Sequence, residues 1–244
     1  MTLGRTRVFV LLVCVAALAT LVIASLEWLD LPSSLREILE SRGLIDRRKD
    51  QAYYRVVLDQ HRNENGRLRP GCVVLLGNSQ TELFPPAILE NRPYVNRGIS
   101  GDRARDVQAR LSESVLTSPC EDVALLIGIN DIYNERATPQ YVVLQISIII
   151  DRLLENGRRI WLFTLPPTRA EYGALNDTIR ETSHRIVELA SNHRHVYAVD
   201  LNTPLADEAG RLRSEYSADG LHLTSAAYSV WLALLDTELS ARRN

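Results

Sequence analysis

The sequence predicts a three-layer α/β domain, from about residue 71 to the C-terminus, built on a parallel sheet covered on both faces. Three observations predict it. Five short apolar runs recur at 73–76, 94–96, 123–127, 160–164 and 196–199. They are continuous rather than alternating, which is the pattern of strands buried on both sides. Helical periodicity fills the gaps, near 85–91, 103–117, 138–156, 174–192 and 224–240. Small polar residues gather just past the runs, in "GNSQTE", "NRGISGD", "GINDIY" and "TLPPT", where an open α/β sheet binds its ligands.

The chain begins differently. Arg5 and Arg7 precede an uncharged run of 19 residues, 8–26, in which only Thr20 and Ser25 are polar. That length suits a helix crossing a bilayer and exceeds the apolar core of a cleaved leader. Residues 1–29 are therefore expected to be a membrane anchor, with cleavage after Ala24 or Ser25 as the other reading. Arg5 and Arg7 stay in the cytoplasm, so the domain is expected on the periplasmic or extracellular side. Cys14 packs within the run as a small hydrophobe.

Residues 30–70 are polar and are expected to form a helical stalk or linker packed against the domain. Ser33 or Ser34 can cap a short helix with Leu35, Ile38 and Leu39 on one face. A second helix is expected over 50–62, before the Asn-Glu-Asn-Gly turn at 63–66. The remainder, 71–244, is the α/β domain. Apolar content of 45% and charged content of 24% are those of a folded globular chain. The net charge of −2 gives no electrostatic reason to expect nucleic acid.

Ser79, just past the first strand, has two readings: a helix cap or turn former, or a nucleophile. It is not the Gly-x-Ser-x-Gly elbow, because Thr81 stands where the second glycine belongs. A nucleophilic serine needs a base, an orienting group and donors for an oxyanion. Of the five histidines, His61 falls in the polar stalk and His184 within a helix. His193 and His195 lack an acidic or cysteine partner that would make a metal site. His222 follows Asp219 by three residues in the "DGLH" loop, where a turn can set the carboxylate against one ring nitrogen. The alternative is Asp219 as a helix cap with His222 a bystander. Gly101 can bring a backbone N–H close to a ligand, and Asn130 can offer a carboxamide N–H, although both residues also suit ordinary turns.

Taken together, these blocks resemble the SGNH hydrolase superfamily of GDSL-type lipases and esterases, over about residues 71–240. Gly77-Asn78-Ser79 stands where that family usually has Gly-Asp-Ser. "NRGISGD" matches the second block, "GIND" the third, and Asp219-x-x-His222 the last. The resemblance implies a flavodoxin-like α/β/α fold with Ser79, His222 and Asp219 as a catalytic triad. It also implies Ser79, Gly101 and Asn130 as the oxyanion hole, with no metal and no cofactor. The family's usual aspartate is Asn78 here, which keeps a hydrogen-bonding carbonyl and loses the charge.

In such a fold the first and third strands are neighbours, so Cys72 and Cys120 sit at the same end of adjacent strands. They can form a disulfide, or remain two buried thiols. The expected activity is hydrolysis of small acyl esters, O-acetyl above all, on a small-molecule or glycan substrate. Two alternatives stand beside it: acyl transfer by the same residues, and a non-catalytic binding module of the same fold. No long apolar insertion suggests a lid for lipid chains.

Overall fold

The computed structural model describes residues 52–243. The expected membrane segment 8–26 and the short helix after Ser33 lie outside the described residues. Among those described, no helix is long and apolar enough to cross a membrane. The chain divides into two compact units, Met1–Val57 and Leu58–Asn244. Of the first, the described residues are the opening of helix α1 (Ala52–Asn65).

The second unit is built on β1 (Val73–Gly77), β2 (Tyr94–Gly98), β3 (Asp122–Leu126), β4 (Arg159–Phe163) and β5 (Val196–Val199). All five are parallel, in the order β2-β1-β3-β4-β5. Every residue of β1 and β3 is buried, which is why their sequences carry no alternation. The strands match the expected runs to within one or two residues at their ends.

The helices, with α3 at Pro86–Leu89 and α8 at Asn202–Leu205 in chain order, follow from where their apolar residues fall. In α6 (Pro139–Glu155), Val142, Ile146, Ile149, Ile150 and Leu153 form one buried stripe at helical spacing. The Thr138 side chain caps this helix by accepting from the Tyr141 N–H, and Pro139 occupies the first turn, where no N–H is needed. α7 (Asn176–Ser191) packs beside α6. On β4, Trp161 and Phe163 point to the other face, where the Phe163 ring lies 5.4 Å from Trp231 of α9 (Ser225–Arg243). Phe84 completes this aromatic cluster, 4.5 Å from Tyr228 and 5.3 Å from Trp231.

The chain leaves β1 toward β2 on one side and returns to β3 on the other. Right-handed crossovers then place successive helices on opposite faces, and the direction of winding switches between β1 and β3. The carboxyl ends of those two strands open the crevice that holds the site.

Two elements depart from expectation. The helix expected over 103–117 breaks into α4 (Ala104–Ala109) and a π-helical turn (Ser112–Leu116), with Arg110 between them turned inward. The "GINDIY" segment is helix α5 (Ile129–Glu135), only seven residues long and too short to show a period. At the opposite end of the sheet, Cys72 and Cys120 form a disulfide ahead of β1 and β3, with Cα atoms 4.7 Å apart.

Candidate active site

The turn after β1 begins with steric necessity. A Cβ on Gly77 would lie 2.2 Å from Thr81 Oγ1 and 2.3 Å from the Leu126 carbonyl oxygen, so the strand must end in glycine. Asn78 then caps the short helix α2 (Ser79–Glu82), its Oδ1 accepting from the Gln80 N–H at 3.0 Å. The cap is therefore Asn78, and an amide carbonyl suffices for it. Ser79 is released from that duty and stands half-buried at the first helical position.

His222 reaches Ser79 from the loop before α9. Its Nε2 lies 3.2 Å from Ser79 Oγ, and its Nδ1 lies 2.7 Å from Asp219 Oδ2. The other Asp219 oxygen, Oδ1, accepts from the backbone N–H groups of Leu221 and His222, at 2.9 and 2.8 Å. The turn needs Gly220, whose φ is +92° and whose Cβ would meet the Arg169 carbonyl oxygen at 2.6 Å. Burial works to raise the Asp219 carboxyl, but the His222 hydrogen bond and the two N–H donors outweigh it. They hold the group well below the usual carboxylate range.

Asn130 opens α5 and is nearly buried; its Nδ2 donates to the Asp102 carbonyl at 2.9 Å. Gly101 precedes Asp102 with a φ of +80°. The five residues singled out for catalysis thus come from the carboxyl ends of β1, β2 and β3 and from the loop before α9. Other candidates stay apart. His184 lies on the surface of α7, 3.5 Å from Glu188, and His193 and His195 belong to the loop entering β5. Among the described residues, no group of three His, Cys, Asp or Glu side chains could hold a metal.

Several residues that brace the site escape a sequence reading. Gln80 Nε2 donates to the Leu221 carbonyl at 3.1 Å, and Tyr228 donates to the Gln80 carbonyl at 2.8 Å, tying the serine helix to the histidine turn. Arg110 is fully buried. It donates from Nε to Asp102 at 2.7 Å, from Nη1 to Ser114 Oγ at 2.9 Å and from Nη2 to the Gly77 carbonyl at 2.9 Å. One guanidinium therefore joins the end of β1 to the Gly101 loop and, through Asp102, to Asn130. His61, expected in the polar stalk, is buried, with Nδ1 3.0 Å from Ser114 Oγ.

Asp131, beside Asn130, is also buried and accepts from the Ala104 N–H at 3.1 Å. Its carboxyl is pushed up to about 7, first by burial and then, against the Ala104 hydrogen bond, by the nearby Glu135 and Asp106.

Known proteins resemble this chain in sequence and fold. A family model described as the GDSL-like lipase/acylhydrolase family matches residues 65–230. A solved structure from Streptococcus pneumonia, described in connection with platelet activating factor, is 26% identical. It aligns with a TM-score of 0.71 over 86% of this chain and 100% of its own. A GDSL-like lipase from Bacteroides thetaiotaomicron VPI-5482 is 23% identical, with a TM-score of 0.68 over 75% of this chain and 97% of that one. Among curated proteins, an acetylxylan esterase of Geobacillus stearothermophilus is 42% identical over 45 residues, 18% of this chain. The match spans 20% of that relative's length.

Proposed function

The chain belongs to the GDSL-like lipase/acylhydrolase family and is an ester-hydrolysing enzyme, and on that premise we propose that it removes small acyl groups, O-acetyl above all, from carbohydrate by a Ser79–His222–Asp219 triad. The observation that carries the reading is the unbroken run of contacts from Ser79 Oγ through the His222 ring to the Asp219 carboxylate. Asp219, ionised, accepts the Nδ1 proton and leaves Nε2 to take the proton of the Ser79 hydroxyl. Ser79 Oγ bonds to the ester carbonyl carbon. The oxyanion that forms is met by the backbone N–H groups of Ser79 and Gly101 and by Asn130 Nδ2. Each such donor typically contributes about 3–4 kcal/mol to the transition state. His222 then protonates the departing alcohol, and a water deprotonated by the same ring cleaves the acyl-serine to acid and free enzyme.

The acetylxylan esterase likeness supports acetylated carbohydrate as the substrate class. The 19-residue uncharged run behind Arg5 and Arg7 supports a membrane anchor that holds the domain outside the cytoplasm, with residues 30–70 as linker. The test is release of acetate from p-nitrophenyl acetate and from acetylated xylo-oligosaccharide by the purified full chain. Activity should fall at least about 10⁴-fold in Ser79→Ala, and a fluorophosphonate should label Ser79. Equal rates for wild type and Ser79→Ala would falsify the triad.

A further inference from the structure

Tyr133 keeps 47% of its surface exposed although it stands on α5, three residues past Asn130. Residues three apart on a helix share a face, so its ring borders the oxyanion side of the crevice. A singly exposed tyrosine is ordinary, but this one has a partner. Its ring lies 5.2 Å from that of Tyr172 in an edge-to-face arrangement, with the planes at 66°.

Tyr172 is held in place rather than loosely attached. It lies in the 3₁₀ segment Ala170–Leu175, and its carbonyl accepts from Thr168 Oγ1 at 2.7 Å. Thr168 and Asn176 bracket the segment, with the Thr168 N–H donating to Asn176 Oδ1 and Asn176 Nδ2 to the Thr168 carbonyl, each at 2.8 Å. The Arg169 N–H donates to the Gly220 carbonyl at 2.9 Å, fastening the same segment to the turn of Asp219 and His222. The Tyr172 phenol is raised first by its hydrogen bond to Glu171 and by desolvation. The charges of Glu171, Tyr133 and Asp219 add to this, which places the ring within the field of the triad carboxylate.

The aromatic pair therefore runs along one rim of the crevice, from the Asn130 helix to the Asp219–His222 turn. In ester cleavage the acyl carbon sits at Ser79, while the alcohol oxygen must lie toward the histidine that protonates it. The rim by His222 is the side on which the alcohol departs. A tyrosine pair offers a rigid apolar face with polar tips, which suits a ring that is apolar on its faces and hydroxylated at its edge.

We propose that Tyr133 and Tyr172 form the alcohol subsite of this enzyme, an aromatic shelf that takes the face of the pyranose ring bearing the acyl ester. The assignment rests on the triad reading above. It makes Tyr133 a specificity residue that discriminates by the alcohol and is indifferent to the acyl group.

The test compares acetylated xylo-oligosaccharide with ethyl acetate, which share the acyl group and differ in the alcohol. In Tyr133→Ala, kcat/KM for the oligosaccharide should fall about tenfold further than for ethyl acetate, chiefly through KM. Tyr133→Phe, which keeps the ring, should restore wild-type discrimination. Equal losses on both esters, or none, would overturn the shelf. Binding supplies an independent readout: calorimetry of the oligosaccharide with Ser79→Ala should show Kd rising about tenfold when Tyr133→Ala is added. If wild type cleaves neither ester yet binding depends on Tyr133, the esterase reading falls and the alcohol subsite with it, and the pair remains as a sugar-binding surface. Binding indifferent to Tyr133 overturns the shelf whatever the catalysis.

Discussion

Asp219 and His222 keep 53% and 38% of their side-chain surface exposed, whereas Asp102 and Arg110, across the same crevice, keep 0% and 1%. The two regions hold opposite halves of the site, the histidine turn and the oxyanion loops. They are built in different ways. The histidine turn is local: one carboxylate accepts two backbone N–H groups and an imidazole from within three residues. Its charges keep partial contact with water, and the desolvation that Asp219 does meet is outweighed by these local donors. The oxyanion side depends on a buried ion pair joining residues on separate elements, where each charge helps to offset the burial of the other. The contrast teaches that damage to the first half should appear in rate, and damage to the second in stability.

The sharpest test is Asp219→Asn. The amide keeps the size of the side chain but favours the wrong imidazole tautomer, so kcat on p-nitrophenyl acetate should fall about 10⁴-fold. Because the residue is exposed, the unfolding midpoint in urea should correspond to a change of about 0.5 kcal/mol or less. A large loss of stability with a small loss of rate would break the comparison from this side.

Arg110→Met tests the other half. It leaves the Asp102 carboxylate buried beside an apolar chain, which typically costs about 3–5 kcal/mol, a large share of the roughly 5–15 kcal/mol that holds a domain together. It also frees the Gly77 carbonyl and the loop that feeds Asn130. In the protein that remains folded, kcat should drop by an amount comparable with losing one oxyanion donor, about 10²–10³-fold. Adding Asp102→Asn removes the stranded charge and should recover part of the stability but not the rate. If the double variant recovers both, Arg110 acts on stability alone.

The same division explains what could be read from the sequence. Ser79, Gly101 and Asn130 each sit in a short run of turn residues just past a strand, and Asp219 and His222 in one before the last helix. Contiguous residues encode a turn, so the motif and its placement were both visible. The five strands were visible for a similar reason, since burial on both faces leaves an unbroken apolar run. Arg110 and Asp102 are eight residues apart, and nothing local marks an arginine that turns inward. His61 stands in a polar stretch that names no partner for it, and only the three-dimensional packing shows Ser114 and two arginines around it. Gln80 follows the serine directly, yet its bond to Leu221 spans 141 residues and leaves no trace in the chain. Helix α5 was missed because seven residues are too few for a period, and with it the face shared by Asn130 and Tyr133.

The smallest expected effect separates the buried groups from each other. Burial first, then the positive charges of Arg97 and Arg110, lowers the His61 ring to about 2. Folded protein therefore refuses a proton that the unfolded chain accepts below about pH 6.5. The stability His61 allows is complete above that pH and declines as the pH falls, by at most about 1.4 kcal/mol per unit. Asp131 works in the opposite sense. Its folded carboxyl, at about 7, holds a proton that the unfolded chain has already lost, so its contribution is complete below about pH 4. That contribution is lost as the pH rises through about 7. Between about pH 4.5 and 6.5 the two slopes oppose each other and largely cancel. In His61→Gln the Asp131 slope is uncovered, and urea unfolding should show stability rising as the pH is lowered across that window. In Asp131→Asn the His61 slope is uncovered, and stability should fall instead. A difference between His61→Gln and wild type that stays constant from about pH 4.5 to 6.5 would mean that His61 is protonated in the fold, beside the positive charges of Arg97 and Arg110.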